Sequence, residues 1–304
     1  MTTKVTPQTP VIEVDERSPM ERMPYWARAT NPIVRRHLGL YWRTLPPQVS
    51  PVIKITAGWM SIDLLSGLVP FLIDMSTTLI VVSIMIVPLI GIYYLRSVVE
   101  IAAKSSEAMS DELRNKTMPL LMATPMSLQQ ILLGKVAASI WRRMDDLMLI
   151  IQIASFFGPP LIIMHIAGYF PLAQSGIMGY VFICVYMVVS LLRLVLEPLM
   201  IGVVGVSIGA FVPYRSTAMT SAVVVVIFYY LLMVMLHQLN LQELVRSTKA
   251  IQSTVGDPSF ALAQAEYIKN VVLMVLIEFV VPVVVPIVVT VGTLRFTSHQ
   301  LHAD

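Results

Sequence analysis

Charge is scarce in this chain. Asp, Glu, Lys and Arg make up 13% of its 304 residues, whereas 56% are hydrophobic, and the mean hydropathy is +0.76. Soluble domains carry roughly 25% charged residues, so an integral membrane protein is expected and a nucleic-acid partner is not. Cysteine occurs once, as Cys184 within an apolar run, which excludes an intrachain disulfide and any CxxC redox motif. Catalytic and nucleotide motifs are missing too. Gly134-Lys135 has neither the upstream glycine nor the following hydroxyl of a phosphate-binding loop, and no HExxH or nucleophile elbow occurs. The chain alone is expected to be no enzyme and to hold no cofactor or metal. The N-terminus (MTTKVTPQTPVIEVDERSP) has no apolar core of a signal peptide and reads as a disordered polar tail, residues 1–24.

What is present is a series of apolar segments with informative interruptions. Residues 25–50 mix Ile33, Val34, Leu38, Leu40, Tyr41 and Trp42 with Arg35, Arg36 and Arg43 after an Asn31-Pro32 start, a composition suited to a helix in the lipid headgroup plane. A transmembrane body is expected over 51–295, with a short tail, 296–304. Residues 52–73 have the length of a first span but carry Lys54, Asp63 and Pro70. If this helix crosses, Asp63 must face protein or water, because a charge at mid-bilayer costs about 3 kcal/mol. Residues 77–95 make a better span, kinked at Pro88. The next span, 147–167, contains Gly158-Pro159-Pro160, which should break or sharply kink it. Residues 176–212, roughly 55 Å as a helix, form either one span with an apolar preface or two hinged near Arg193 and Pro198. Spans at 220–239 and 271–293 follow, separated by a polar outer loop over 240–270. Lys and Arg cluster before the first span and between Arg96 and Arg143, leaving Arg246, Lys249 and Lys269 on the other side. The positive-inside rule then favours about six spans with both termini cytoplasmic. The fold class is all-α: a polytopic transmembrane helical bundle with an N-terminal interfacial helix and a cytoplasmic coupling helix.

Between the second and third spans lies the most structured punctuation. In 111–136 (DELRNKTMPLLMATPMSLQQILLGKV), Thr117-Met118-Pro119 starts a short helix, the hydroxyl acting as cap. Thr124-Pro125 ends it, and Ser127 with Gln130 has capping-box spacing for a second helix. The stretch resembles the cytoplasmic coupling segment of type 2 ATP-binding-cassette (ABC) transporter permeases. The matching residues are Asp111, Glu112, Arg114, Thr117, Leu120, Leu121, Thr124, Pro125, Ser127, Ile131, Leu132, Gly134 and Lys135. Lys116 stands where that family usually has glycine, Met118-Pro119 follows the threonine, and Met126 replaces leucine. The order of amphipathic helix, two spans, elbow and four spans is also similar to the family's.

The resemblance implies the membrane subunit of an exporter of lipids, glycans or hydrophobic drugs. It would sit in a bacterial cytoplasmic membrane and pair with a second permease subunit, the same or related. A separate ATPase subunit would bind the ATP. The ATPase would couple through segment 104–136, at Glu112, Arg114, Thr117, Leu120, Leu121, Thr124, Pro125, Ser127 and Gln130. Within the membrane, Arg193 and Glu197, four apart on one helical face, and Glu278 are expected as a polar patch in the outer half, either an ion pair locking spans or the lining of a substrate path. His165 and His237 fall near outer span ends, where a haem or metal pair can be imagined beside ordinary solvation. His299 and His302 are expected in a frayed tail. Two rival classes stay open, a non-transporting permease-like scaffold subunit and a haem- or quinone-binding membrane subunit.

Overall fold

Apolar helix formers dominate the chain, and a bilayer leaves a spanning backbone no hydrogen-bonding choice but helix or closed barrel. The computed structural model, which describes residues 23–28, 31–38, 49–69, 71–169, 177–254 and 260–303, is accordingly helical, with no strand among the described residues. After a 3₁₀ turn at Tyr25–Ala27 come α1 (Pro32–Leu38), α2 (Val49–Ser66), α3 (Phe71–Arg114), α4 (Met118–Met122) and α5 (Leu128–Trp141). Then follow α6 (Met144–Tyr169), α7 (Ile177–Phe211), α8 (Arg215–Thr254), α9 (Phe260–Val275) and α10 (Val281–Ala303). A π-helical turn, Leu276–Val280, joins the last two.

Among the described residues, five stretches are long and apolar enough to cross a membrane: Thr78–Arg114, Met144–Ala167, Ile177–Phe211, Arg215–Gln238 and Gln264–Leu301. The protein is an integral membrane protein built as an all-α polytopic bundle. Helix α2 is not among the five. It stops at Ser66 rather than continuing to 73, because the chain turns at Gly67, whose N–H reaches the Leu64 carbonyl. It nonetheless packs alongside the bundle, and Asp63 is fully buried against protein, where the Cys184 thiol lies 3.4 Å from its carboxylate.

Three buried clusters order the bundle from end to end. At the end where α3 leads into α4 and α5, Met109, Met118, Leu128, Leu132, Val136, Val203 and Val206 form one core, with Leu294 and Leu301 against it. Tyr94, Val98, Ile101, Leu147, Met200 and Ala222 form the middle. At the opposite end Trp59 meets Ile163, Ile166, Ile183, Met187 and Met274. These are called below the elbow end and the far end.

Inside a bilayer, lipid is as apolar as leucine, so close packing and interhelical hydrogen bonds must hold helices together. Helix α7 provides for both. A Cβ on Gly205 would lie 2.6 Å from the Ala102 carbonyl oxygen of α3, so the two backbones touch where any larger residue would force them apart. Buried hydroxyl pairs, Ser105 with Ser139 at 2.6 Å and Thr297 with Ser207 at 2.8 Å, bind α3 to α5 and α10 to α7.

Several expectations change. The Pro159-Pro160 pair lies inside a continuous α6, so no break occurs. Residues 177–211 are one helix containing Pro198, not two. The outer loop at 240–270 is largely helical: α8 continues to Thr254 and α9 starts at Phe260, consistent with a glycine- and proline-free run, LQELVRSTKAIQST. Helix α10 carries the chain to Ala303, so 296–303 is no frayed tail. Trp141 is buried and donates its indole N–H to the Ala27 carbonyl at 2.7 Å. Most of the expected N-terminal tail, and residues 39–48 of the interfacial helix, lie outside the described residues.

Candidate functional site

Two places concentrate polar side chains, the elbow and a cavity in the bundle. The elbow begins where α3 ends. The Thr117 N–H bonds the Glu112 carbonyl at 3.0 Å and the Lys116 N–H bonds the Leu113 carbonyl at 3.1 Å. This is a Schellman ending, which requires a left-handed residue at Lys116, and Lys116 has φ 54°. It is the position at which the resembled family usually has glycine. Thr117 heads α4 but does not cap it. Its hydroxyl is drawn instead to the Glu112 carboxylate and carbonyl. The Ser127–Gln130 capping box is formed in full, at 3.3 Å and 3.2 Å.

Glu112 is 4% exposed. Its Oε1 lies 3.6 Å from Arg36 and from His37 Nε2 of α1, and 3.9 Å from Lys135 Nζ of α5. Lys135 is fully buried and also donates to the Ala108 carbonyl at 3.2 Å. Burial pulls its pKa down to about 8, against the favourable field of Glu112. Burial, then the Lys135 charge, pulls His37 down to about 4, so His37 is neutral at pH 7. Glu112 is therefore an internal strut joining α1, α3 and α5. Gly134 completes that joint: a Cβ there would press on Ile33 of α1 at 3.3 Å.

Of the expected coupling residues, the outward face is formed by Leu120, 71% exposed, with Arg114, Thr124, Pro125 and Ser127 exposed and Thr117, Leu121 and Gln130 half-buried. Sequence reasoning did not place Arg36 or His37 here. A lysine on the apolar face of α5, four residues after Ile131, was the readable sign of a buried charge.

In the bundle, the expected patch of Arg193, Glu197 and Glu278 divides in two. Glu197, 1% exposed, accepts from Arg193 Nε at 2.6 Å and from Tyr229, Tyr230 and Tyr94 hydroxyls at 3.0, 2.9 and 3.1 Å. Four donors fill the lone-pair sites of one carboxylate. Tyr94 lies two residues before Arg96 on α3, and Glu100, one turn further on, pairs with Arg96 and Arg143. The Arg193–Glu197 pair thus sits beside the middle cluster, which includes Tyr94 and Met200. Glu278 lies toward the far end. His237 Nδ1 meets its Oε1 at 2.5 Å, Tyr186 donates to its Oε2 at 2.7 Å, and His165 Nε2 stands 4.0 Å from Oε1.

A cavity of about 930 Å³ separates these two centres. Arg193, Glu197 and Tyr230 line it toward the elbow, and His165, His237 and Tyr186 toward the far end; Tyr230 and His237, seven residues apart, set the separation at about 10 Å along α8. Between them the wall is apolar, and Pro88, Gly91, Gly158 and Pro159 contribute little side-chain bulk.

No protein-family model, curated protein or solved structure matches the chain, so its own geometry and motifs carry the functional reading.

Proposed function

We propose that this chain is the membrane-spanning permease subunit of an ABC-type exporter, coupling ATP hydrolysis by a separate subunit to movement of a substrate through the bundle. The observation that carries the reading is the elbow. The 26-residue stretch at 111–136 makes two short helices on a buried charged strut and turns Leu120, Thr124 and Pro125 outward. An exposed leucine framed by polar residues on a rigid support suits docking of another protein. Force applied there would pass through Glu112 and Lys135 into α3 and α5, and from α3 into the cavity wall at Pro88, Gly91 and Tyr94. The cavity's apolar middle and charged ends fit an amphipathic substrate, the class that lipids, glycolipids and hydrophobic drugs share. In this reading the ATPase binds all the nucleotide, a second permease subunit completes the path, and the elbow faces the cytoplasm of a bacterial cell.

The test is purification of the tagged chain in mild detergent, with mass identification of what accompanies it and an ATPase assay. A stoichiometric partner bearing a phosphate-binding loop, with vanadate-sensitive turnover, is expected. Leu120→Asp should abolish both without lowering thermal stability, since Leu120 is exposed. Unrelated membrane subunits in place of that partner, or a Leu120→Asp chain that keeps its partner and turnover, would overturn the reading in favour of a scaffold.

A further inference from the structure

Glu278 gathers its partners from three other helices. His237 meets one carboxylate oxygen and Tyr186 donates to the other, which leaves lone pairs on both. A second histidine, from a different helix, turns its Nε2 toward the oxygen that His237 meets. His165 comes from α6, His237 from α8 and Glu278 from the π-helical turn, and the two imidazoles stack with centroids 5.5 Å apart and planes 26° from parallel. One ligand atom from each residue lies within 4.8 Å of the other two.

We propose that His165, His237 and Glu278 form a binding site for a divalent first-row transition-metal ion, with Zn²⁺ the best fit. Two donors about 2.1 Å from one metal are at most about 4.2 Å apart. The 4.0 Å between His165 Nε2 and Glu278 Oε1 already meets that limit. His237 Nδ1 and Oε1, now 2.5 Å apart across a hydrogen bond, need only open as the metal takes the place of the hydrogen on Nδ1, the neutral ring keeping one on Nε2. Two imidazoles and one carboxylate suit zinc, with iron, cobalt or nickel next, rather than the all-oxygen sets of calcium and magnesium or the sulfur sets of copper(I). Tyr186 holds the second carboxylate oxygen at 2.7 Å, the kind of outer partner that orients a metal-bound ligand.

The remaining coordination position faces the cavity, because His165, His237 and Tyr186 all line it. The π-helical turn has a local cause: Pro282 offers no N–H to the Glu278 carbonyl, and the wider turn relieves the clash. Its consequence is to set Glu278 at the cavity's far end. A bound ion there joins α6, α8 and the α9–α10 helix, and leaves a Lewis-acidic position for an anionic or carbonyl group of whatever enters.

The test uses the full chain purified in detergent with a tag free of histidine, stripped with chelator, and titrated with Zn²⁺ against a chromophoric competitor. One site per chain is expected. His165→Ala, His237→Ala and Glu278→Gln should each weaken it at least about 100-fold, and Tyr186→Phe about 10-fold. His299→Ala should leave it unchanged. Co²⁺ in the wild-type chain should give visible ligand-field bands of a low-coordinate site without a thiolate band, since Cys184 lies apart; this reading needs no variant to fold. Wild-type protein that binds neither ion, a thiolate band, or variants that bind as tightly as wild type would each overturn the proposal.

Discussion

Glu112 and Glu197 are both almost fully buried, yet the chain holds them in opposite ways. Glu197 is clamped by directed hydrogen bonds: one guanidinium and three phenols, all within 3.1 Å, from α3, α7 and α8. Glu112 has one hydroxyl partner, and its three basic neighbours stand 3.6–3.9 Å away. Directed bonds in a low-dielectric medium fix a geometry, whereas longer charge contacts restrain position and tolerate rotation. The Glu197 site is therefore held in one geometry, whereas the charge balance around Glu112 tolerates small rotations of its side chains.

Removing each carboxylate is the strongest way to break this comparison. Glu197→Ala leaves the half-buried Arg193 without its counter-charge and three phenols without their acceptor, and should cost about 3–5 kcal/mol. Glu112→Gln should cost only about 1–2 kcal/mol, because the amide oxygen can still accept from Thr117, water can take over the charge of Arg36, which is 56% exposed, and the buried Lys135, already pulled down to about 8, can shed its proton. Thermal unfolding in detergent of both purified variants measures the difference. Equal losses would mean that the elbow is clamped as firmly as the bundle.

Acidity separates the same two regions more gently. His37 is held near pKa 4 against an ordinary 6.5, so unfolding lets it take up a proton. Its contribution is fully present above pH 6.5 and is lost as pH falls toward 4, by at most about 3 kcal/mol. Lys135, held near 8 against 10.5, acts in the same sense higher up: stability should rise again as pH climbs from about 8. Melting temperature followed against pH should show both limbs. His37→Phe should flatten the acid one, and an unchanged acid limb in that variant would remove His37 from the account.

Much of this was readable from the residues, and the unread part has a common cause. Local rules located what local chemistry decides: the Asn31-Pro32 helix start, where the Asn31 side chain caps Ile33 at 2.9 Å, the Ser127–Gln130 box, and the long apolar runs. Along α7, Tyr186, Ser190, Arg193 and Glu197 fall at i, i+4, i+7 and i+11, a polar stripe that faces the cavity. That stripe was available in the sequence, and only its last two members were singled out. Partners from other helices were not available. Nothing near Glu278 in the chain indicates two histidines, because they lie more than 100 and about 40 residues away and meet it only when α6 and α8 pack. Thr117 shows the reverse failure: a capping hydroxyl in sequence, it is taken by a carboxylate that the Schellman turn brings within reach.

The smallest effect tests the turn itself. Lys116 occupies the left-handed region at φ 54°, where a side chain with a Cβ costs about 1–2 kcal/mol relative to glycine. Glycine in turn loses more freedom on folding, by about 0.4–1 kcal/mol. Lys116→Gly should therefore leave the protein unchanged or stabilise it by up to about 1.5 kcal/mol, read as a small rise in melting temperature, while Asn115→Gly, at a position without that conformation, should lower it slightly. Loss of stability in Lys116→Gly would mean that the lysine side chain holds the elbow through contacts of its own. The backbone alone would then no longer explain why α3 turns into α4 at this residue.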